Sequence, residues 1–330
     1  MKRLLLIIGV VLALAPSCGK GSCDLCPDAA ERRHVTLSLA GACLPTRAEN
    51  VTEGQESAVK ECTLFVFSRD GRLVSRYESG AGVFDFYLTD ETYDFVAVVN
   101  KPELPASPTR TELDAQPMTL AENTVGHFVM AGALPNHVIQ GDEKLTVRVK
   151  RLVAKVSYTV RTAFTGTLAT LPFSVDEIYL TNVAGATNLG LDAQPDGNGL
   201  WYNKLNRTVS AGGVDDLLYG RMARDMGAVD SLTSGHTFYT YPNTAADNHD
   251  KDRWAPRCTR FVVKATLGGR TTYYPVTIPV TAANKHYHID LTISNYGVDH
   301  PEDVYVEGER VEIVVTVSDW EDGGTLYGEY

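Results

Sequence analysis

Apolar and polar residues alternate with a period of two along most of the chain beyond position 47. In the first half, residues 63–67, 83–88 and 93–99 are predicted strands, and residues 69–72 form the turn after the first of them. This periodicity is typical of β-strands, because successive side chains of a strand point to opposite faces. The pattern predicts a protein built from short strands.

A proline-rich loop interrupts the strands of the first half. It holds Pro102, Pro105, Pro108 and Pro117, and proline cannot donate a hydrogen bond to a ladder. We predict one short helix there, around residues 117–124. Strand alternation then resumes.

The alternation changes phase in the middle of the chain. Leu145, Val147 and Val149 share one face of a predicted strand, and the phase shifts at Arg151. A new alternating face begins soon afterwards. The shift places a domain boundary near Lys150.

The second half repeats the alternation in six further segments. These predicted strands are residues 175–181, 236–241, 260–267, 271–280, 286–294 and 311–320. Residues 182–235 are rich in Gly, Asn and Asp, and we expect extra hairpins or functional surface there, with at most a short helix near 215–226. Many short strands without alternating helices favour two β-sandwich domains in series.

The N-terminal region has the composition of a leader. Lys2 and Arg3 precede an apolar run at residues 4–14, which is too short for a membrane-spanning helix of about 20 residues. The run predicts a secretory signal peptide. Cys18 after small residues favours a bacterial lipidation site, with ordinary signal cleavage as the alternative.

A strand-like segment at residues 34–40 follows the leader, and the basic junction Arg47-Ala48 comes after it. The order is signal, lipid site, strand and basic cleavage site. A chain that discards a strand during export leaves a groove that another strand can fill.

Composition excludes one class of function. The net charge is −11 over 330 residues, and hydrophobic residues make up 44%. Beyond position 47, 24 Lys and Arg face 38 Asp and Glu. This balance argues against nucleic-acid binding, which requires a concentrated basic surface.

The cysteines divide between leader and body. Cys18 and three further cysteines precede Arg47, and Cys62 and Cys258 follow it. The leader contains one C-x-x-C, at residues 23–26, without a second ligand pair at zinc spacing, so we interpret it as an incidental tether motif. Because Cys62 and Cys258 fall in different predicted domains, we expect two buried free thiols.

Two groups of residues contain side-chain types that bind metal ions, but neither has the full pattern of a metal site. His286 and His288 share a strand face, and Asp247, Asp250 and Asp252 form an acidic loop without the D-x-D-x-D-G order of a calcium loop. A solvated strand face and a polar loop are the favoured interpretations. No catalytic motif is evident, so we expect neither an enzyme nor a cofactor. Trp320 is either a core residue or part of a polymer contact.

In this order, the segments resemble the major fimbrillin family of type V pili. The residues that carry the resemblance are Cys18, the strand at 34–40, Arg47-Ala48, residues 60–67, 150–156, 272–276 and 286–293, and the alternation of Val311, Ile313, Val315 and Val317 before Trp320. The resemblance covers nearly the whole chain.

The resemblance implies an organisation and a transport route. The organisation is a signal peptide (1–17), a lipidated propeptide carrying a removable first strand (18–47), transthyretin-like β-sandwiches (48–150 and 151–320) and a tail (321–330). The lipid, palmitate for example, would hold the precursor at the outer membrane after export through the periplasm. An arginine-specific surface protease would cleave between Arg47 and Ala48.

The resemblance also implies assembly by donor-strand exchange into a head-to-tail homopolymer, a cell-surface fimbrium for adhesion and biofilm formation. Donor candidates are Val311, Ile313, Val315 and Val317, and the tail 321–330 is the alternative donor. The receptor is unidentified.

Two other functions stay open at this point. An accessory, tip or anchor subunit is the alternative within the family. A monomeric glycan-binding surface lipoprotein is the alternative from another class, with Trp201, Tyr202 and Trp254 as its aromatic candidates.

Overall fold

The structure, a computed structural model, describes residues 32–41, 51–191, 199–207, 213–233, 236–304 and 311–320. The signal peptide, Cys18, the other leader cysteines, Arg47, Ala48 and the tail 321–330 lie outside these ranges. Within the ranges, no helix has the length and apolar character needed to cross a membrane.

The described residues are mostly β-structure, which confirms the all-β prediction. The strands of the first half are β1 (Arg33–Ala40), β2 (Cys62–Ser68), β3 (Leu73–Ser79), β4 (Val83–Leu88), β5 (Thr92–Val99), β6 (Pro117–Thr119), β7 (Met130–Val138), β8 (Glu143–Arg148) and β9 (Lys150–Arg151). Those of the second half are β10 (Ala154–Ala163), β11 (Phe173–Thr181), β12 (Val183–Ala184), β13 (Ala186–Asn188), β14 (Trp201–Tyr202), β15 (Tyr219–Met226), β16 (Val229–Thr233), β17 (Phe238–Thr240), β18 (Thr259–Leu267), β19 (Arg270–Ile278), β20 (Lys285–Ile293) and β21 (Val311–Asp319). The helices are α1 (Val51–Glu56), α2 (Arg110–Asp114) and α3 (Asp215–Leu218), with 3₁₀ turns at Leu120–Glu122 and Gly166–Thr170.

The first half packs a three-stranded sheet on a five-stranded sheet. The smaller sheet has the order β4-β1-β8, and the larger has the order β3-β2-β5-β7-β9. In β4, Phe84, Phe86 and Leu88 are buried and the residues between them are exposed, as a strand with one face on a core requires. Val35 and Leu37 of β1 belong to the same core. These apolar faces hold the two sheets together.

The second half contains two further large sheets and the two-stranded pair β12-β14. One has the order β16-β10-β20-β21 with β17 beside β10, and the other has the order β15-β11-β18-β19. β20 buries Tyr287, Ile289, Leu291 and Ile293 on alternate positions. The strand at residues 286–294, predicted from the alternation, is therefore present as β20.

Apolar packing continues between the two halves. β2 is buried on both faces, with Leu64 and Val66 in the core of the first half and Phe65 and Phe67 in a cluster shared with the second. β6 also pairs with β13 across the middle of the chain. The domain boundary near Lys150 stays a prediction.

One helix prediction is confirmed and one needs correction. Over residues 215–226 the helix is the short α3, and the remainder is β15, which pairs with β11. Over residues 117–124, the structure has β6 and a 3₁₀ turn in place of the predicted short helix. There, pairing of β6 with β13 overrides weak helical propensity.

The helix of the proline-rich loop lies earlier, at α2. The Thr109 side chain accepts a hydrogen bond from the Glu112 backbone N–H, and the Glu112 carboxylate accepts one from the Thr109 backbone N–H. This is a capping box, and its T-x-x-E spacing is visible in the sequence.

The two cysteines of the described residues are free and buried, as predicted. Burial raises the pKa of the Cys62 thiol to about 12. The Cys258 thiol lies 3.2 Å from the backbone oxygen of Ala245 and 3.4 Å from that of Pro279. Neither thiol is positioned for disulfide formation in the folded chain.

We predict that Gly132→Ala destabilises the protein, because a Cβ at Gly132 would lie 2.1 Å from the backbone oxygen of Arg148. A clash with backbone cannot be relieved by a rotamer change, so we expect a loss of about 1–3 kcal/mol in the free energy of unfolding. Urea denaturation measures it. Gly141→Ala is the matched control, because a Cβ there meets no atom within 4 Å; equal losses in the two variants would contradict the prediction.

Candidate functional site

β1 is the central strand of the smaller sheet of the first half. It pairs antiparallel with β4, from Arg33 opposite Leu88 to Ser38 opposite Val83. On its other side it pairs in parallel with β8, from Val35 to Ala40. The predicted strand at residues 34–40 is therefore part of a sandwich.

The inward face of β1 fills the core of the first half. Val35 and Leu37 are both 0% exposed, and burial of such side chains is worth about 1.5–3 kcal/mol each. Leu39 packs at the edge of the same core, and its N–H donates to the Gly82 oxygen at 3.1 Å. β1 is thus held by its backbone ladders and by a row of apolar side chains.

The first residues of β1 contact carboxylates along the rim of the sheet. The Arg33 guanidinium donates two hydrogen bonds of 2.8 Å to Asp90, and these bonds lower the pKa of Asp90. The Thr36 hydroxyl donates to Asp85 at 2.7 Å, and His34 Nε2 lies 3.6 Å from the same carboxylate. The Arg33 end of β1 is therefore matched to acidic neighbours.

The predicted donor residues lie on β21, at the edge of a sheet in the second half. β21 pairs with β20 along its whole length. Val311, Ile313 and Val315 are half-buried against the core, as the alternation predicts. Val317 is 53% exposed, so it does not complete the apolar row.

Trp320 follows β21 directly and is 5% exposed. Its ring stacks on Tyr239 with centroids 5.7 Å apart and meets the edge of Phe128 at 5.9 Å. The Arg151 guanidinium lies 4.3 Å from the ring centroid. Of the two interpretations of Trp320, the structure supports a core residue.

The buried carboxylate of Glu56 joins these groups. It accepts hydrogen bonds from the Tyr239 hydroxyl at 2.6 Å, Lys155 Nζ at 2.9 Å and Trp320 Nε1 at 3.2 Å. Glu56 ends α1, the first described helix beyond Arg47. The start of the body and the end of β21 therefore meet at one side chain.

Arg151 binds the same junction from the other side. Its guanidinium donates to the Glu56 backbone oxygen at 2.8 Å and to the Ser57 hydroxyl, and it reaches the Asn284 side chain. Buried charges need such complete hydrogen bonding. In the sequence, Arg151 stands out only because the apolar alternation changes phase there. Its partner Glu56 lies 95 residues earlier, so the local sequence does not indicate this contact.

The histidine pair is hydrogen-bonded within its sheet. Ser157 Oγ lies 2.7 Å from His286 Nε2 and 2.8 Å from His288 Nδ1. Burial, followed by the charge of Lys155, lowers the pKa of His286. Among the residues that the structure describes, no three His, Cys, Asp or Glu side chains come together as metal ligands.

The acidic loop is held by an arginine. Arg257 is fully buried, pairs with the buried Glu302 at 3.1 Å, and donates to the backbone oxygens of Asn248, Asp250 and Arg253. Asp250 accepts backbone N–H groups of its own loop. The Arg257 guanidinium thus fixes the conformation of this acidic loop.

The aromatic candidates for glycan binding are engaged within the fold. Trp201 is 5% exposed and meets Trp254 edge to face at 5.3 Å. Lys204 Nζ lies 4.1 Å from the centre of the Trp254 ring. Trp201 is therefore buried, and a lysine lies over one face of the Trp254 ring.

Comparison with known proteins identifies the family. The family model of fimbrillin-A associated anchor proteins Mfa1 and Mfa2 matches residues 24–322. The chain belongs to this family. Membership gives it a structural role in a cell-surface fimbrium, in association with other fimbrial subunits, and not an enzymatic role.

Solved structures share the fold of this fimbrial protein. A fimbrilin, FimA, from Porphyromonas gingivalis is similar with a TM-score of 0.60 at 15% identity, over 88% of this chain and 98% of that one. The tip fimbrial protein Mfa3 from Porphyromonas gingivalis, with a C-terminal truncation, has a TM-score of 0.55 at 14% identity, over 88% and 100%. At these identities the likeness is one of fold. No curated protein matches the chain.

We predict that Trp320→Ala in this fimbrial protein lowers the free energy of unfolding by about 3–5 kcal/mol, because it removes a buried ring and one donor to Glu56. Trp320→Phe keeps a ring and should lose about 1–3 kcal/mol. Val314→Ala is the control, since Val314 is 49% exposed on the adjacent strand. If urea unfolding shows that Trp320→Ala loses no more free energy of unfolding than Val314→Ala, the packing of Trp320 against Glu56, Tyr239 and Phe128 does not stabilise the fold as described.

We also predict a contribution of His286 to acid sensitivity. Its pKa is lower in the folded chain than its ordinary 6.5, so the unfolded chain binds the proton first as the pH falls. The stability it supports is present above about pH 6.5 and is lost as the pH falls from there toward the folded pKa. His286→Gln should flatten the fall of unfolding free energy between about pH 7 and 5; an unchanged slope would contradict this assignment.

Proposed function

We propose that this chain is a pilin that polymerises by donor-strand exchange after residues 1–47 have been removed. The observation that carries the proposal is the central position of β1 between β4 and β8. The basic junction Arg47-Ala48 follows β1 and precedes the body of the fold. One cut there separates a central strand from its own sheet.

Loss of β1 creates a binding site. The facing N–H and C=O groups of β4 and β8 lose their ladder partners, and the positions of Val35 and Leu37 open onto the core. Unpaired strand edges beside an apolar row are a template for another strand. Main-chain bonds then supply affinity, and alternate side chains set the register.

The C-terminal segment of a neighbouring subunit supplies the donor in this proposal. β21 carries Val311, Ile313 and Val315 on alternate positions of an edge strand, and the tail 321–330 follows it. A contact of one subunit's end with another's groove does not close on itself. Repetition of a head-to-tail contact produces a fibre.

The leader completes the route. Lipidation of Cys18 holds the precursor at the outer membrane, and an arginine-specific protease at the cell surface releases it at Arg47. The resulting fimbrium supports adhesion and biofilm formation. The lipid-bearing propeptide leaves with β1.

A second candidate function is that of an anchor subunit, which the description of the matching family favours. An anchor keeps the lipid on Cys18 and retains β1 in its sheet. Such a subunit would end the fibre at the membrane, because its groove stays filled. The same cleavage experiment separates the two candidates.

We predict that an arginine-specific protease converts the purified precursor into a product that begins at Ala48, and that SDS-resistant ladders appear only after cleavage. Arg47→Ala should block both, while Arg69→Ala, an exposed arginine in a turn, should block neither. N-terminal sequencing and SDS gels without heating measure the outcome.

Ladders that form from the Arg47→Ala variant would contradict strand exchange by this route. A chain on cells that keeps lipidated Cys18 and the segment 33–40 after protease exposure would identify the anchor candidate instead.

A further inference from the structure

The rim of the groove that holds β1 is charged unevenly. At the Arg33 end lie the carboxylates of Asp85, Asp90 and Asp142, each of which contacts a residue of β1. On the β8 side, the exposed residue Lys144 lies opposite Thr36, and Arg148 lies opposite Ala40 at the other end. A strand in this groove therefore meets mainly carboxylates at the Arg33 end, mixed charge at Thr36 and the Arg148 side chain at the Ala40 end.

Asp90 is the rim carboxylate that discriminates most between donors. The two parallel hydrogen bonds from Arg33 are the geometry in which arginine binds a carboxylate most specifically. Asp142, by contrast, accepts the backbone N–H of His34 at 2.7 Å, which any residue except proline supplies. Replacement of β1 leaves Asp90 without its cation unless the donor brings one.

The C-terminal segment of this chain brings none. Residues 311–330 contain five carboxylates and no Lys or Arg. In either direction of insertion, that segment has no cation to place against Asp90. Its charge opposes the acidic end of the groove.

Register makes the mismatch sharper. In the direction of β1, two alignments of β21 place three of its alternate apolar residues inward. They put Glu312 either at the position of His34, which contacts Asp85 and Asp142, or at the position of Thr36, which lies between Asp85 and Lys144. In the first alignment the like charges are destabilising, and in the second alignment Lys144 offsets Asp85.

We propose that the vacated groove selects the strand of a different subunit, one that carries a basic residue at the position of Arg33. The inference rests on the proposed strand exchange and departs from a homopolymer. A groove of this polarity binds a second copy of the chain more weakly than a heterotypic neighbour, so the purified subunit still forms ladders by itself, but less readily than with such a neighbour.

The test uses the full precursor cleaved by an arginine-specific protease and fluorescent peptides as donors. The native peptide spans residues 32–41, and the variant peptide carries Arg33→Glu. The matched control peptide carries Arg32→Glu, the same charge change one position earlier, at an exposed residue. A fourth peptide spans residues 311–320. Fluorescence anisotropy gives each dissociation constant.

We expect the Arg33→Glu peptide and the 311–320 peptide to bind roughly five- to tenfold more weakly than the native peptide, with the Arg32→Glu peptide close to native. The protein variant Asp90→Lys should restore binding of the Arg33→Glu peptide. Asp299→Lys, at an exposed ion pair in the second half of the chain, should not. The differences should shrink at 1 M salt, where the Debye length falls to about 3 Å.

Equal binding of all four peptides would overturn the charge selection and leave strand exchange intact. Binding of none would overturn strand exchange itself, and the inference with it.

Discussion

The smaller sheet of the first half exists because β1 pairs with both β4 and β8, which do not pair with each other. Every other feature of the candidate site depends on that bridging position. It makes the strand essential to the sandwich and, in the proposed exchange, replaceable by a donor strand. A fold with β1 at an edge would lose little when the leader is cut away and would offer no comparable groove.

Affinity and the proposed selectivity reside at different places along the same strand, because Arg33 shares the face of Val35 and Leu37 but lies at the rim of the core. The inward face offers Val35 and Leu37 to the core, a requirement that most alternating strands satisfy. In the proposed selection the rim distinguishes strands by charge, chiefly through Asp90, and few strands satisfy both the core and the rim. Backbone pairing is common to all candidates, so a modest rim preference is enough to order subunits that otherwise share a fold.

Sequence periodicity predicted those strands whose two faces differ, such as β4 and β20, because each has one face on a core. It missed β3, whose apolar pattern is weak, and β7, whose Gly132 and Pro135 are typical of loops. Pairing with β2 and β5 places them in the sheet. The hydrogen bond between Glu56 and Trp320 joins residues 264 positions apart. Local sequence carries no record of such a contact, so the junction required coordinates.

The burial of both thiols has a consequence for a protein located at the cell surface. The thiolate is the reactive form of cysteine, and a Cys62 pKa of about 12 leaves almost none of it at neutral pH. The remaining cysteines all precede position 47 and would depart with the leader in the proposed cleavage. A mature subunit would then have no reactive thiol that oxidants could convert into a disulfide. Neighbouring subunits would therefore not be trapped in a wrong pairing by a mixed disulfide.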